Sequence, residues 1–159
     1  MDTPQTTSVL FVCLGNICRS PLAEGVFLHL LREAGLDGWF SVDSAGTGAW
    51  HVGELPDPRS REVAERNGVT LSSRARQVTD RDFHDFDVIV AMDRSNLADL
   101  QRLKARNGGK ARLVLMRDFD PDPGDGEVPD PYYGGASGFD RVYAMVFRAA
   151  RGLMGHLTP

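Results

Sequence analysis

Only two cysteines occur in the 159 residues, and they stand close together at positions 13 and 18. A secreted disulfide framework needs more thiols at wider spacing, so a reducing, cytoplasmic setting is the expectation. Histidine is also sparse. His29, His51, His84 and His156 are scattered singly, with no cluster of metal-ligand spacing, so no metal or other cofactor is expected. No window approaches the ~18 consecutive apolar residues of a membrane span. Met1 to Thr7 is a short polar lead without the basic start and apolar run of a signal peptide. Positive charge is not in excess either: 18 Lys and Arg against 22 Asp and Glu give a formal net charge of −4. That balance speaks against nucleic acid or an anionic membrane as partner.

What remains is globular composition, 42% apolar and 25% charged, sufficient for a real core. No stretch reads as a linker, so one domain over residues 8–157 is expected behind the 1–7 lead. Ser8-Val-Leu-Phe-Val12 has the apolar, β-branched character of a buried strand. Leu22, Val26, Phe27, Leu30 and Leu31 then recur at helical spacing and Gly35 closes the pattern; Ser20 is placed as N-cap and Pro21 as first helical residue. Trp39–Val42 reads as a second strand and Pro58–Asn67 as a short polar helix. Phe86–Met92 is a third strand, followed by a helix to about Leu103, and Arg112–Met116 is a fourth. A long acidic, Pro- and Gly-rich loop runs from Arg117 to about Gly138, before a last helix carrying Val142, Met145, Val146, Ala149, Ala150 and Leu153 on one side. Strands alternating with helices imply an α/β fold, a parallel sheet covered on both faces. Ligands bind such sheets at the carboxyl ends of the strands.

The loop after the first strand, Cys13-Leu-Gly-Asn-Ile-Cys-Arg-Ser20, occupies that place. A strand, a Gly-containing loop and a helix start make an anion site, because loop N–H groups and the positive helix end converge on one point. Gly15 is expected to let the backbone turn. Arg19 adds a planar pair of donors matched to two phosphoryl oxygens. A thiol of ordinary pKa ~8.5 is lowered by helix N-termini and arginines, so Cys13 is expected to be an anionic nucleophile with the Ser20 hydroxyl facing it. This is not the nucleotide-binding loop, since Gly-x4-Gly-Lys-Ser/Thr is absent. Covalent phosphoryl transfer also needs an acid for the leaving group. Asp130, in Asp130-Pro-Tyr-Tyr133, is the candidate: Pro131 stiffens its loop and two rings offer an apolar setting that favours the protonated carboxyl. Asp118, Asp120 and Asp122 alternate like the start of a calcium loop, but Pro123 and Pro129 stand where that loop needs glycine and a bidentate glutamate. Asp93 is either the cap of the following helix or part of the site. Trp50, Tyr132 and Tyr133 could wall a slot that suits a phenyl ring and is too deep for phosphoserine.

Val12-Cys-Leu-Gly-Asn-Ile-Cys-Arg-Ser-Pro21 resembles the signature of the low-molecular-weight protein tyrosine phosphatases, and Asp43-Ser-Ala-Gly-Thr47, Ala91-Met-Asp-Arg-Ser-Asn96 and Asp130-Pro-Tyr-Tyr133 extend the similarity over nearly the whole chain. The resemblance implies a single domain with a four-stranded parallel sheet flanked by helices. It implies Cys13 as nucleophile, Arg19 as phosphate clamp, Asp130 as general acid and base, and Leu14, Gly15, Asn16, Ile17, Cys18 and Ser20 as the phosphate loop, braced by an Asn16–Ser44 pair. The implied partner is a phosphotyrosine-containing protein, with phosphate and other oxyanions as inhibitors in the loop. It also implies that Cys18 shields Cys13 by a reversible disulfide, the alternative being a small packing residue. Arsenate reductases of this fold carry further downstream cysteines, absent here. Protein-arginine phosphatases, which place threonine where this chain has Ile17, and a non-catalytic phosphate-binding module are the other readings. In one departure, Ser73 stands where many members have a histidine that helps to brace the loop.

Overall fold

β1 (Thr7–Cys13) alternates its side chains between two separate cores. Val9, Phe11 and Cys13 face one, and Leu10 and Val12 the other, as the two-residue period of a strand requires. In this computed structural model, residues 6–132 and 134–158 are described. β1 is central in a parallel four-stranded sheet of order β2-β1-β3-β4, with β2 at Phe40–Gly46, β3 at Val88–Ala91 and β4 at Arg112–Leu115. α1 (Arg19–Glu33), α2 (Pro58–Arg66) and α5 (Ala136–Leu157) pack on the first face, burying Leu22, Phe27, Leu31, Val63, Phe139 and Val146. The single turn α3 (Asp82–Asp85) and α4 (Arg94–Asn107) supply Phe83 and Leu100 to the second. From β1 the chain crosses to β2 on one side, and from β2 to β3 on the other. The loops after β1 and β3 therefore diverge and leave a crevice at the carboxyl edge.

The expected fold class holds, with shifts at the boundaries. β1 begins at Thr7, paired with Phe40, one residue inside the expected lead; Met1 to Gln5 lie outside the described residues. β2 runs on to Gly46, well past Val42, because its end pairs with β1 as far as Cys13–Gly46. Trp39 is instead the end of a 3-10 turn. α1 starts at Arg19 rather than Pro21, and its N-cap Cys18 makes no side-chain cap. Ser20 is no cap because its hydroxyl is used elsewhere. Pro21 falls in the first turn, where the missing N–H has no helical partner to lose.

The acidic loop is less loose than its composition suggests. Its first residues form a 3-10 turn, Met116–Phe119, and buried Arg117 donates to Asp120, to Glu127 O at 2.8 Å and to Asp122 O at 2.8 Å. Asp120 also takes Arg148 at 3.1 Å, so its carboxylate is occupied by two arginines. Among the described residues no group of three or more His, Cys, Asp or Glu could hold a metal ion, and no helix is long and apolar enough to cross a membrane.

Candidate active site

β1 delivers Cys13 to the carboxyl edge and α1 begins at Arg19, leaving Leu14–Cys18 to close a tight cup between them. The residue that turns the cup is Asn16, at φ 58°, not Gly15. Asparagine tolerates this left-handed region because its short polar side chain can bond locally. Gly15 serves close approach instead: a Cβ there would sit 3.0 Å from His51 Cδ2. Gly46 is needed more strictly, since a Cβ on it would meet Leu14 O at 2.7 Å. With that Cβ missing, Thr47 N and Gly48 N bond Cys13 O and Leu14 O, each at 2.9 Å, and tie the cup to the end of β2.

Asn16 is the hub of the floor. Its Nδ2 donates to Ser20 Oγ at 2.8 Å and to Ser44 Oγ at 3.0 Å, and its Oδ1 accepts from Arg76 N at 3.0 Å. The expected Asn16–Ser44 brace is present, and the Arg76 amide completes it. Ser44 Oγ in turn donates to Glu24 Oε1 at 2.6 Å. Burial, opposed by the Ser44 bond and reinforced by Asp43, pushes the Glu24 carboxyl above its ordinary value, with Ser73 acting against it. Ser73 thus acts on the Glu24 carboxyl behind the loop, at the position where many family members carry a histidine.

Two donors face the nucleophile candidate. Asn16 N donates to Cys13 Sγ at 3.3 Å, and Ser20 Oγ lies 3.1 Å away. Ser20 Oγ accepts from Asn16 Nδ2, and its one hydrogen has both the sulfur and, at 3.4 Å, Ala45 O within reach. Arg19, 2% exposed, donates from Nη1 to Asp93 Oδ2 at 2.7 Å and to Val128 O at 3.0 Å. Burial works against its charge, but Cys13 and then Asp93 more than compensate and raise its pKa further. Asp93 does both things weighed for it, because its other oxygen caps α4 by accepting from Asn96 N at 2.7 Å.

Above the floor, Asp130 Oδ2 lies 3.7 Å from Arg19 Nη2, with its side chain 43% exposed. Asp130 Oδ1 accepts from Tyr132 N at 3.0 Å, which fixes the carboxyl's orientation. Cys13, Leu14, Gly15, Ile17, Cys18, Arg19, Trp50, His51, Asp130 and Tyr132 line one cavity of about 440 Å³. Trp50 is 73% exposed, a rim rather than an enclosed wall. Tyr133 lies outside the described residues. At Cys18, burial first, then Asp57 and Cys13, push the thiol up to about 12, and both cysteines are free.

The chain matches the family described as low molecular weight phosphotyrosine protein phosphatase over residues 8–158. It belongs to that family. A low molecular weight phosphotyrosine protein phosphatase of Schizosaccharomyces pombe is 50% identical over 137 residues, covering 85% of this chain and 86% of that one. The crystal structure of a protein tyrosine phosphatase from Entamoeba histolytica, with Hepes in its active site, aligns with a TM-score of 0.88 at 38% identity, over 96% and 97% of the two chains. A Drosophila arginine phosphatase aligns with a TM-score of 0.90 at 33% identity, over 95% of this chain and 98% of its own. The chain is therefore a protein-tyrosine phosphatase, a hydrolase of phosphoprotein substrates.

Sequence reasoning missed three residues that the structure places at or beside this candidate site. His51 borders the cavity beside Gly15 and pairs with Glu54, but a lone histidine in a loop carries no spacing signal. Glu24 sits on α1, where the apolar periodicity marks the core face and leaves a single polar residue without a signal. Arg59, on α2, reaches the Asp130 loop across more than seventy residues, which no local pattern reveals.

Proposed function

We propose that this phosphatase hydrolyses phosphotyrosine through a cysteinyl phosphate, with Cys13 as nucleophile, Arg19 as clamp and Asp130 as acid and base. The Cys13 thiolate attacks phosphorus; the bond to the tyrosyl oxygen breaks, and that oxygen takes the Asp130 proton, because a phenolate with a conjugate pKa near ~10 leaves poorly unaided. Arg19 and the loop N–H groups of Leu14–Cys18 hold the equatorial oxygens as charge shifts. In the second step the Asp130 carboxylate takes a proton from water, the water oxygen bonds phosphorus, and the P–S bond breaks to return the thiolate and release phosphate. The observation that carries this reading is that Cys13, Arg19 and Asp130 line one cavity, with Cys13 Sγ 3.1 Å from Ser20 Oγ and 3.3 Å from Asn16 N, and Asp130 3.7 Å from Arg19.

Ile17 and the aromatic rim around Trp50 and Tyr132 favour an aryl substrate over phosphoarginine, and the depth of Cys13 disfavours phosphoserine. Inorganic phosphate and other oxyanions are expected to compete in the same cup. A phosphoprotein in a reducing, cytoplasmic setting suits a free nucleophilic thiol; neither nucleic acid nor membrane is invoked. Hydrolysis of p-nitrophenyl phosphate in EDTA should vanish in Cys13→Ser and fall by ~10²–10⁴ in Asp130→Ala. Phosphotyrosine peptides should outpace phosphoserine and phosphoarginine peptides. An active Cys13→Ser protein, or a phosphoarginine preference, would overturn the respective claim.

A further inference from the structure

The general-acid loop needs an anchor, because Asp130 is half exposed and sits on a Pro- and Gly-rich segment. Arg59, on α2, carries a guanidinium that spans from the protein body to the segment just after Asp130. Its Nη2 donates to Tyr132 O at 3.0 Å and its Nη1 to Gly134 O at 3.4 Å. On the other side, Nε and Nη2 grip the two oxygens of Asp57 at 3.1 and 3.0 Å. The flat face lies 4.5 Å from the centroid of buried Phe139, in the first turns of α5, and 5.6 Å from that of Tyr132.

Asp57 is itself bolted to the phosphate loop. Its backbone N donates to Ile17 O at 2.7 Å, and Ser60, one turn on, donates to Cys18 O at 3.2 Å. Asp57 also caps α2 by accepting from Arg59 N at 2.8 Å. Burial pushes this carboxyl up, but the Arg59 side-chain and backbone bonds outweigh it and hold it below the ordinary range. One line of bonds thus runs from the floor, through the start of α2, to the carbonyls of Tyr132 and Gly134 beyond Asp130.

We infer that Arg59 is a positioning residue for leaving-group protonation: it latches the Asp130 loop to the phosphate loop and sets where the carboxyl stands above Cys13. The inference rests on the assignment of Asp130 as general acid. A guanidinium suits the task because its planar fork makes four fixed bonds here, to both Asp57 oxygens and two carbonyls, whereas an ammonium has only three donors and no fork. Misplacing a reacting group by about 1 Å can cost on the order of 10²-fold, and that cost falls only on the step that uses the group.

The test is kcat/KM for a series of aryl phosphates, from strongly acidic phenols to phenol itself, with Arg59→Met, Arg59→Lys, Asp130→Ala and Arg59→Met/Asp130→Ala. Arg59→Met should lose ~10–100-fold on phenyl phosphate and less than ~3-fold on the most acidic phenol. Inhibition by inorganic phosphate should change less than ~2-fold, since the cup is intact. Arg59→Lys should follow Arg59→Met, and the double variant should be no worse than Asp130→Ala. A loss uniform across the series, a matching loss of phosphate inhibition, or full activity in Arg59→Lys would overturn the latch. If Asp130→Ala itself shows no leaving-group dependence, the acid assignment falls and the latch with it; if Asp130→Ala shows it and Arg59→Met does not, the latch alone falls. Thermal midpoints of each variant separate misfolding from mispositioning.

Discussion

At the floor of the active site, Asn16, Arg19, Ser20 and Ser44 are almost wholly buried, and each holds at least two polar partners. At the rim, Leu14, Trp50 and Tyr132 are exposed apolar surface, and Asp130 stands half in solvent. The floor is built for one geometry: a buried donor or acceptor left unmatched costs about 1–3 kcal/mol, so its members can scarcely move singly. The rim carries no such penalty. Its shape can differ between relatives of one fold that act on different phosphoamino acids, while the phosphoryl chemistry beneath stays constant. Chemistry and substrate choice are thus stored in regions of very different stiffness.

The sharpest way to break that contrast is Asn16→Ala. It strips partners from Ser20, Ser44 and Arg76 N and puts alanine at φ 58°. Together these should cost about 3 kcal/mol, a fall in thermal midpoint of roughly 6–12 °C for a chain of this length, with activity falling alongside. Asn16→Gly separates the two causes, since it relieves the backbone and leaves the polar partners stranded. A loss below about 1 kcal/mol in the alanine variant would mean that the floor is not the rigid element described.

Trp50→Ala probes the other side. Removing an exposed ring should leave stability nearly unchanged and raise KM for aryl phosphates by ~3–10-fold, the scale of one aromatic contact. Inhibition by inorganic phosphate should not move. If phosphate inhibition weakens equally, the rim and the floor are coupled and the division between them is wrong.

The same division explains what could be read from the chain. Cys13, Arg19 and Ser20 are joined by a short loop between a strand pattern and a helix pattern, so local spacing reveals them. Ser44 comes with the family resemblance, and Asp93 stands just past the expected third strand. The boundary errors have a common origin: Ser44-Ala-Gly46 has no strand-like alternation and is strand only because β1 pairs with it. Ser20 looks like a cap by type, yet its hydroxyl serves the sulfur. Gly15 looked like the hinge, while asparagine took the strained position because its side chain was also the hub. Arg59 and Glu24 act through tertiary contacts between distant segments, and a sequence carries no local trace of those.

The smallest expected effect concerns the end of the floor's hydrogen-bond chain, which runs from Cys13 through Ser20, Asn16 and Ser44 to Glu24. Burial and the neighbouring Asp43 raise the Glu24 carboxyl's pKa, with Ser44, Ser73 and Arg76 acting against them. An acid whose pKa is higher folded than unfolded binds its proton more tightly in the native state. Its contribution is fully present below the unfolded value of about 4.3 and is lost as pH rises through the folded value. The wild type should therefore give up stability through this group between weakly acidic and neutral pH. Glu24→Gln cannot titrate, yet its amide oxygen can still accept from Ser44. The thermal midpoint of Glu24→Gln relative to wild type should accordingly rise from pH 4.5 to 7.5, by on the order of 2 °C, while Ser44→Ala should not reproduce that pH dependence. A flat difference across that range would show that the carboxylate is as well solvated behind the loop as it is in the unfolded chain, and the floor would then end in water rather than in a buried acid.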